Sequence, residues 1–144
     1  MKYFSLDPEC PGSLADDVDL DTSVHPPLVE SETLHIEFNT WMESALIEVF
    51  PCYCVTRELR EAIEAMKFSG CSFAPAKVTK SETFNQFYPA GRHISEFTWL
   101  KVKGKTGVDD FGISKDHLLI VSERALSLIK EHGLYQCGVE PYRQ

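Results

Sequence analysis

The chain has 144 residues, 43% hydrophobic and 25% charged, enough apolar material to close one core and too much for a disordered chain. No apolar run approaches the roughly 18–20 residues of a membrane-spanning helix, and the mean hydropathy of −0.19 agrees. Fourteen Lys and Arg against 22 Asp and Glu give a net charge of −8, which argues against direct nucleic-acid binding and against an anionic membrane surface, and suits a basic partner.

Taken in chain order, the first segment is the most biased. From Tyr3 to Thr56 there is no Lys or Arg, while eleven Asp and Glu occur there. Residues 57–144 carry 13 basic and 11 acidic side chains, so all the excess negative charge lies in the first 56 residues. Such asymmetry marks either an interaction surface or a solvated loop. The start, Met1 to Asp7, turns acidic before the apolar stretch of roughly 7–15 residues that a signal peptide needs. The five cysteines then read as cytosolic thiols and the protein as cytoplasmic. Pro8, Pro11, Gly12, Pro26 and Pro27 break up residues 7–33, and Leu14, Val18, Leu20, Val24, Leu28 and Val29 can pin that segment down. We expect residues 1–33 to form an acidic arm wrapped on the domain, with one short turn of helix near Leu14 to Val18.

Leu34 to Phe38 alternates as a strand should, and Ala45 to Phe50 is a further strand candidate. Residues 55–75 and 121–141 then align without a gap at an offset of 66, with Val55/Val121, Ile63/Ile129, Cys71/Cys137 and Pro75/Pro141 identical. Each segment, 53–75 and 118–141, reads as strand, helix, strand. Thr56 and Ser122 stand where a helix N-cap belongs, and Glu58 and Glu123 put a carboxylate in each first turn. Leu59, Ala62, Ile63 and Met66, and Ala125, Leu128 and Ile129, recur at helical spacing, with Gly70 and Gly133 placed to help end the helices. Between the two segments, Ser81 to Tyr88 reads as a short capped helix, and Phe97 to Lys103 as a strand that runs into Gly104. The expectation is a single α+β domain over 1–144, with a mixed or antiparallel sheet and two or three helices, built partly from a duplicated strand–helix–strand unit.

The candidate chemistry is sparse. Cys52 and Cys54 share one strand face, and no pair has the knuckle spacing usual for zinc. Cys71 and Cys137 hold equivalent places in the two segments, as small core residues would. The five histidines form no HExxH, and there is no nucleophile elbow or phosphate-cradling glycine loop. No cofactor, metal or catalytic set is indicated. Gly104 to Ile113 contains Asp109, Asp110 and Phe111 in a glycine-rich loop. That loop is either a contact site for a cationic partner or a turn with Phe111 plugged into the core.

From Phe97 to Tyr142, the Trp99-x-x-Val102-x-Gly104 run, the Asp109–Phe111 loop, the Leu119–Arg124 strand-to-helix junction and the closing Gly133-Leu134, Cys137 and Pro141 carry a resemblance. This last third resembles the C-terminal module of small bacterial immunity proteins of polymorphic toxin and contact-dependent inhibition systems. The resemblance implies a non-enzymatic inhibitor that binds a cognate toxin domain. A nuclease-like toxin is basic, and carboxylates dock well on such a surface. The contact residues expected are Asp16, Asp17, Asp19, Asp21, Asp109 and Asp110, with Trp41, Trp99 or Phe111 as aromatic anchors. Two other readings fit the same residues: a small metal- or ligand-binding enzyme domain using its Cys and His side chains, and an interaction domain without a toxin partner.

Overall fold

The computed structural model describes residues 2–143. The acidic segment contributes β1 (Tyr3–Asp7), β2 (Gly12–Leu14), β3 (Leu20–Asp21) and β4 (Leu28–Val29). Next come β5 (Leu34–Phe38), β6 (Leu46–Val49), β7 (Cys52–Thr56) and α1 (Arg57–Met66). The remainder is β8 (Cys71–Lys80), α2 (Glu82–Phe87), β9 (Phe97–Val102), β10 (Phe111–Ile113), β11 (Leu119–Ser122), α3 (Glu123–His132) and β12 (Gly138–Tyr142). The class is α+β, with mostly antiparallel pairing and one parallel pair, β5 with β8.

The helices form where their caps allow. Thr56 Oγ1 accepts from Leu59 N, Ser81 Oγ from Phe84 N and Ser122 Oγ from Ala125 N, each satisfying an otherwise orphaned donor of a first turn. Leu59 and Ile63 form the buried stripe of α1, and Ala125, Leu126 and Ile129 that of α3. Gly133 ends α3 as its position predicts, at φ 110°. The other helix stops earlier than Gly70 would place it. Lys67 takes the left-handed conformation at φ 55°, and its N–H closes on the Ile63 and Glu64 carbonyls.

Two sheets share the work. One has the order β10-β11-β1-β12, with β1 antiparallel to both neighbours. The other has the order β2-β5-β8-β9-β7-β6. In both strand–helix–strand segments the two strands run parallel with a third strand between them. β9 separates β7 from β8, and β1 separates β11 from β12. This is the split β-α-β plan, in which the helix crosses over one inserted strand.

The larger sheet curls until its edges meet. Glu9, just upstream of β2, bridges to Ile47 of β6, and Glu48 N donates to the Glu9 carbonyl at 2.9 Å. Curling divides the interior into two cores, and alternation on the shared strands feeds both. Tyr53, Val55 and Leu100 join Leu59, Ile63, Ile129, Phe111, Val121 and Leu6 under the helices and the smaller sheet. Cys52, Cys54, Phe97 and Trp99 point the other way, to Ile36, Phe38, Trp41 and Phe84. Each fully buried Leu, Ile or Phe among them contributes on the order of 2 kcal/mol.

Two expectations change. Residues 3–7 are not part of an arm lying on the surface: β1 is an inner strand of the smaller sheet, because Phe4 and Leu6 have apolar partners on β11 and β12. The helical turn near Leu14 to Val18 is a single tight turn after β2, closed by Val18 N onto the Ala15 carbonyl. Pro75 lies in the middle of β8, at the point where the partner changes from β9 to β5.

Candidate functional site

Between β2 and β5 the chain forms an outer arm closed by the β3–β4 pair, Leu20 against Val29 and Asp21 against Leu28. Local bonds hold it, and two sets of them are made by carboxylates, those of Asp17 and Asp21. Asp17 Oδ1 lies 2.8 Å from His35 Nδ1, and His35 Nε2 lies 3.0 Å from Thr79 Oγ1, which fixes that side of the arm to β5 and β8. The Ser31 hydroxyl accepts from Asp19 N at 2.9 Å. Asp21 accepts from both the hydroxyl and the N–H of Ser23, and these bonds lower its pKa. Asp16, Asp17 and Asp19 are exposed and Asp21 is half-exposed. The arm therefore shows its negative charge to solvent on a backbone that is already ordered.

Apolar side chains are exposed beside that charge. Leu28 is 58% exposed, and Leu20 and Val24 on the same hairpin are also open to solvent. The hairpin loop reaches across the molecule. The His25 ring lies 6.4 Å from that of Phe50, an exposed side chain in the β6–β7 turn, and 5.6 Å edge-on from that of His117.

The second predicted group, around residues 109–111, has a different role. Asp110 is 3% exposed and Phe111 is 0% exposed. Asp110 accepts from Arg124 Nε at 2.8 Å and Arg124 Nη2 at 2.9 Å, from Ser122 Oγ at 2.6 Å and from Ser69 N at 2.9 Å. Burial opposes its ionisation, but the guanidinium, the hydroxyl and the backbone N–H outweigh it and leave the carboxyl at about 2. Arg124 also lies over the Phe68 ring, 5.1 Å from its centroid. One carboxylate thus ties the end of α1, the loop before β10 and the first turn of α3 together. Gly70 and Gly104 permit this approach, since a Cβ at either would fall within about 2.2 Å of the Phe111 carbonyl oxygen. Asp109 accepts from Lys105 N at 2.7 Å and closes the turn.

Asp110 and Phe111 are accordingly structural, not contact residues. Trp99, 7% exposed, faces the second core with Lys101 Nζ 4.4 Å above its ring, and Trp41 is buried with its indole N–H donating to the Ser44 carbonyl. None of the three aromatic anchors expected from sequence offers a surface to a partner. The exposed apolar groups are Leu28, Phe50 and their neighbours, which composition could not single out.

Four of the five thiols are poorly placed for nucleophilic chemistry, Cys10 alone being exposed. Burial pushes Cys52 up to about 12 and Cys54 well above its ordinary value, and it raises Cys71 and Cys137 to about 11. Among the described residues, no three His, Cys, Asp or Glu side chains converge in a way that could hold a metal ion. A cleft of about 680 Å³ lies between α1, β8 and residues 94–96. On the α1 side it is lined by charged side chains that already pair with each other, Arg57 with Glu61 and Glu96, and Arg60 with Glu64, and on the β8 side by Ala76 and Val78. Among the described residues no helix is long and apolar enough to cross a membrane. Compared with protein-family models and with curated proteins, the chain finds no match in either.

Proposed function

We propose that this chain is a cytoplasmic immunity-type protein that binds and neutralises a cognate, basic toxin domain without catalysis. The resemblance of residues 97–142 to the closing module of such proteins supplies the class, and the two split β-α-β units fit an origin by duplication. The observation that carries the reading is the outer arm. It presents Asp16, Asp17 and Asp19 to solvent, with Asp21 partly so, in a stretch from Tyr3 to Thr56 that has no cation to neutralise them. Exposed Leu20, Val24 and Leu28 on the same hairpin give the patch an apolar centre within a charged surround, the composition of a protein-binding surface rather than of a solubilising loop.

Docking of this kind gives fast, salt-sensitive association, because the charges act before contact while the apolar side chains hold the complex once formed. The test is replacement of Asp16, Asp17, Asp19 and Asp21 by Lys. The variant keeps the fold, since the side-chain bonds it loses are those of Asp17 to His35 and Asp21 to Ser23, and it loses association with the basic partner by slowing the on-rate. An on-rate and salt dependence equal to those of the unaltered protein would refute the reading.

A further inference from the structure

We infer that the second half of β8, Ala76 to Lys80, is an open strand edge that receives one extended segment of another polypeptide. The inference rests on the strand partners alone and stands apart from docking through the acidic arm.

Up to Pro75, β8 is paired with β9, ending in Pro75 opposite Thr98. From Ala76 to Lys80 it is paired with β5 on its other side, Ala76 opposite Leu34 and Lys80 opposite Phe38. Nothing replaces β9 over those residues. Among the described residues no backbone hydrogen bond reaches 76–80 from the β9 side. The cause lies at residue 96. Arg57 N donates to the Glu96 carbonyl at 2.9 Å, and the Arg57 guanidinium meets the Glu96 carboxylate at 3.2 Å, so the chain entering β9 is drawn to the start of α1 and away from β8. The gap left behind is the 680 Å³ cleft, and Ala76 and Val78 line it together with Ile94, Phe97 and Thr98.

A row of unpaired backbone donors and acceptors at strand spacing matches an extended peptide and nothing smaller. Five residues of edge correspond to about 16 Å of strand. The cleft also selects the kind of occupant. Ala76 and Val78 give it an apolar lining, which favours a segment with small branched side chains at alternate positions. Lys77 and Lys80, exposed on the same strand, favour acidic residues at its ends, and Lys80 Nζ also lies 5.5 Å from the centroid of the Phe84 ring. The same lysines oppose pairing with the edge of a second copy, whose Lys77 and Lys80 would meet them. Arg57, Arg60, Glu61 and Glu64 on α1 stand along the other side of the cleft.

The test uses the full chain and a capped peptide, acetyl-Glu-Val-Thr-Val-Ser-Val-Glu-amide, followed by amide hydrogen exchange resolved by residue. In the free protein the amides of 76–80 that point away from β5 exchange quickly. With peptide at about ten times its Kd, they slow by about tenfold, while amides elsewhere that exchange by local opening do not change. Two further peptides, N-methylated on one or the other set of alternate amides, separate strand addition from simple apolar contact. Methylation of one set abolishes the protection and methylation of the other leaves it. No added protection at 76–80, or equal effects of the two methylated peptides, would overturn the inference. Protection that rises with protein concentration in the absence of peptide would overturn it in favour of pairing between copies.

Discussion

Asp110→Asn is the substitution that reads the interior of this molecule most directly. The Asp110 carboxyl sits at about 2 in the folded chain against 3.8 in an unperturbed one. Each pH unit of that gap corresponds to about 1.4 kcal/mol, so ionised Asp110 stabilises the fold by about 2 kcal/mol at neutral pH. Asparagine is close in shape and can still accept from Ser122, but it lacks the charge that holds Arg124. Because the Arg124 side chain is 57% exposed, its guanidinium returns to water and no stranded buried charge adds to the cost. The sign follows from the lowered value. The contribution is complete above the unfolded carboxyl range near 4 and is lost as pH falls through about 2. Urea unfolding of the two proteins should therefore differ by about 2 kcal/mol at pH 7, and by roughly half of that at pH 3. A difference below about 0.5 kcal/mol at pH 7, or one that does not shrink at pH 3, would refute the assignment of Asp110 as the ionic tie between the helical units.

Further outcomes follow from single residues. Phe111→Ala empties a fully buried site in the first core and should cost about 3–5 kcal/mol, measured by the same unfolding series. Ser44→Ala removes a hydroxyl that donates to the Tyr135 carbonyl and accepts from Tyr135 N, so it should lower stability by about 1–3 kcal/mol in thermal or urea unfolding. Lys67→Gly relieves a left-handed non-glycine residue at the end of α1 and should raise stability by about 1 kcal/mol. Brief treatment of the native protein with iodoacetamide at pH 8, read by peptide mass spectrometry, should label exposed Cys10 before any other thiol, with Cys52 and Cys54 reacting only after denaturant is added.

The elements legible in the sequence are those whose signals are local. Thr56, Ser81 and Ser122 announce three helix starts because a cap needs only its own next three residues. Leu34 to Phe38 shows its strand by alternation, Leu34, Ile36 and Phe38 being buried while His35 and Glu37 are less so. What was not legible depends on distant partners. Residues 3–7 become a strand only because β11 and β12, more than 110 residues later in the chain, supply both neighbours. Asp110 looks like a surface acid until Ser69 and Arg124, 41 and 14 residues away, close on it. Trp99 stands in a strand whose alternation is plain, but alternation does not say which face will be covered, and here a curled sheet covers both. The exposed charge of Asp16, Asp17 and Asp19 was legible for the opposite reason. A run of acids with no Lys or Arg among them offers its carboxylates little to be buried against, and Asp17 meets only the His35 ring.

The central claim, that the acidic arm docks a basic toxin domain, is tested most directly by capture and rescue with one pair of proteins. The tagged chain and its Asp16, Asp17, Asp19 and Asp21 to Lys variant are used to capture partners from the source cell at low and high salt. The bound domain is identified, then expressed alone and with each form of the chain. A single basic domain is expected, retained at low salt and released as salt rises. It arrests growth alone, and the unaltered chain but not the variant relieves it. Equal retention and equal rescue by the variant, or a captured domain without toxicity, would contradict it.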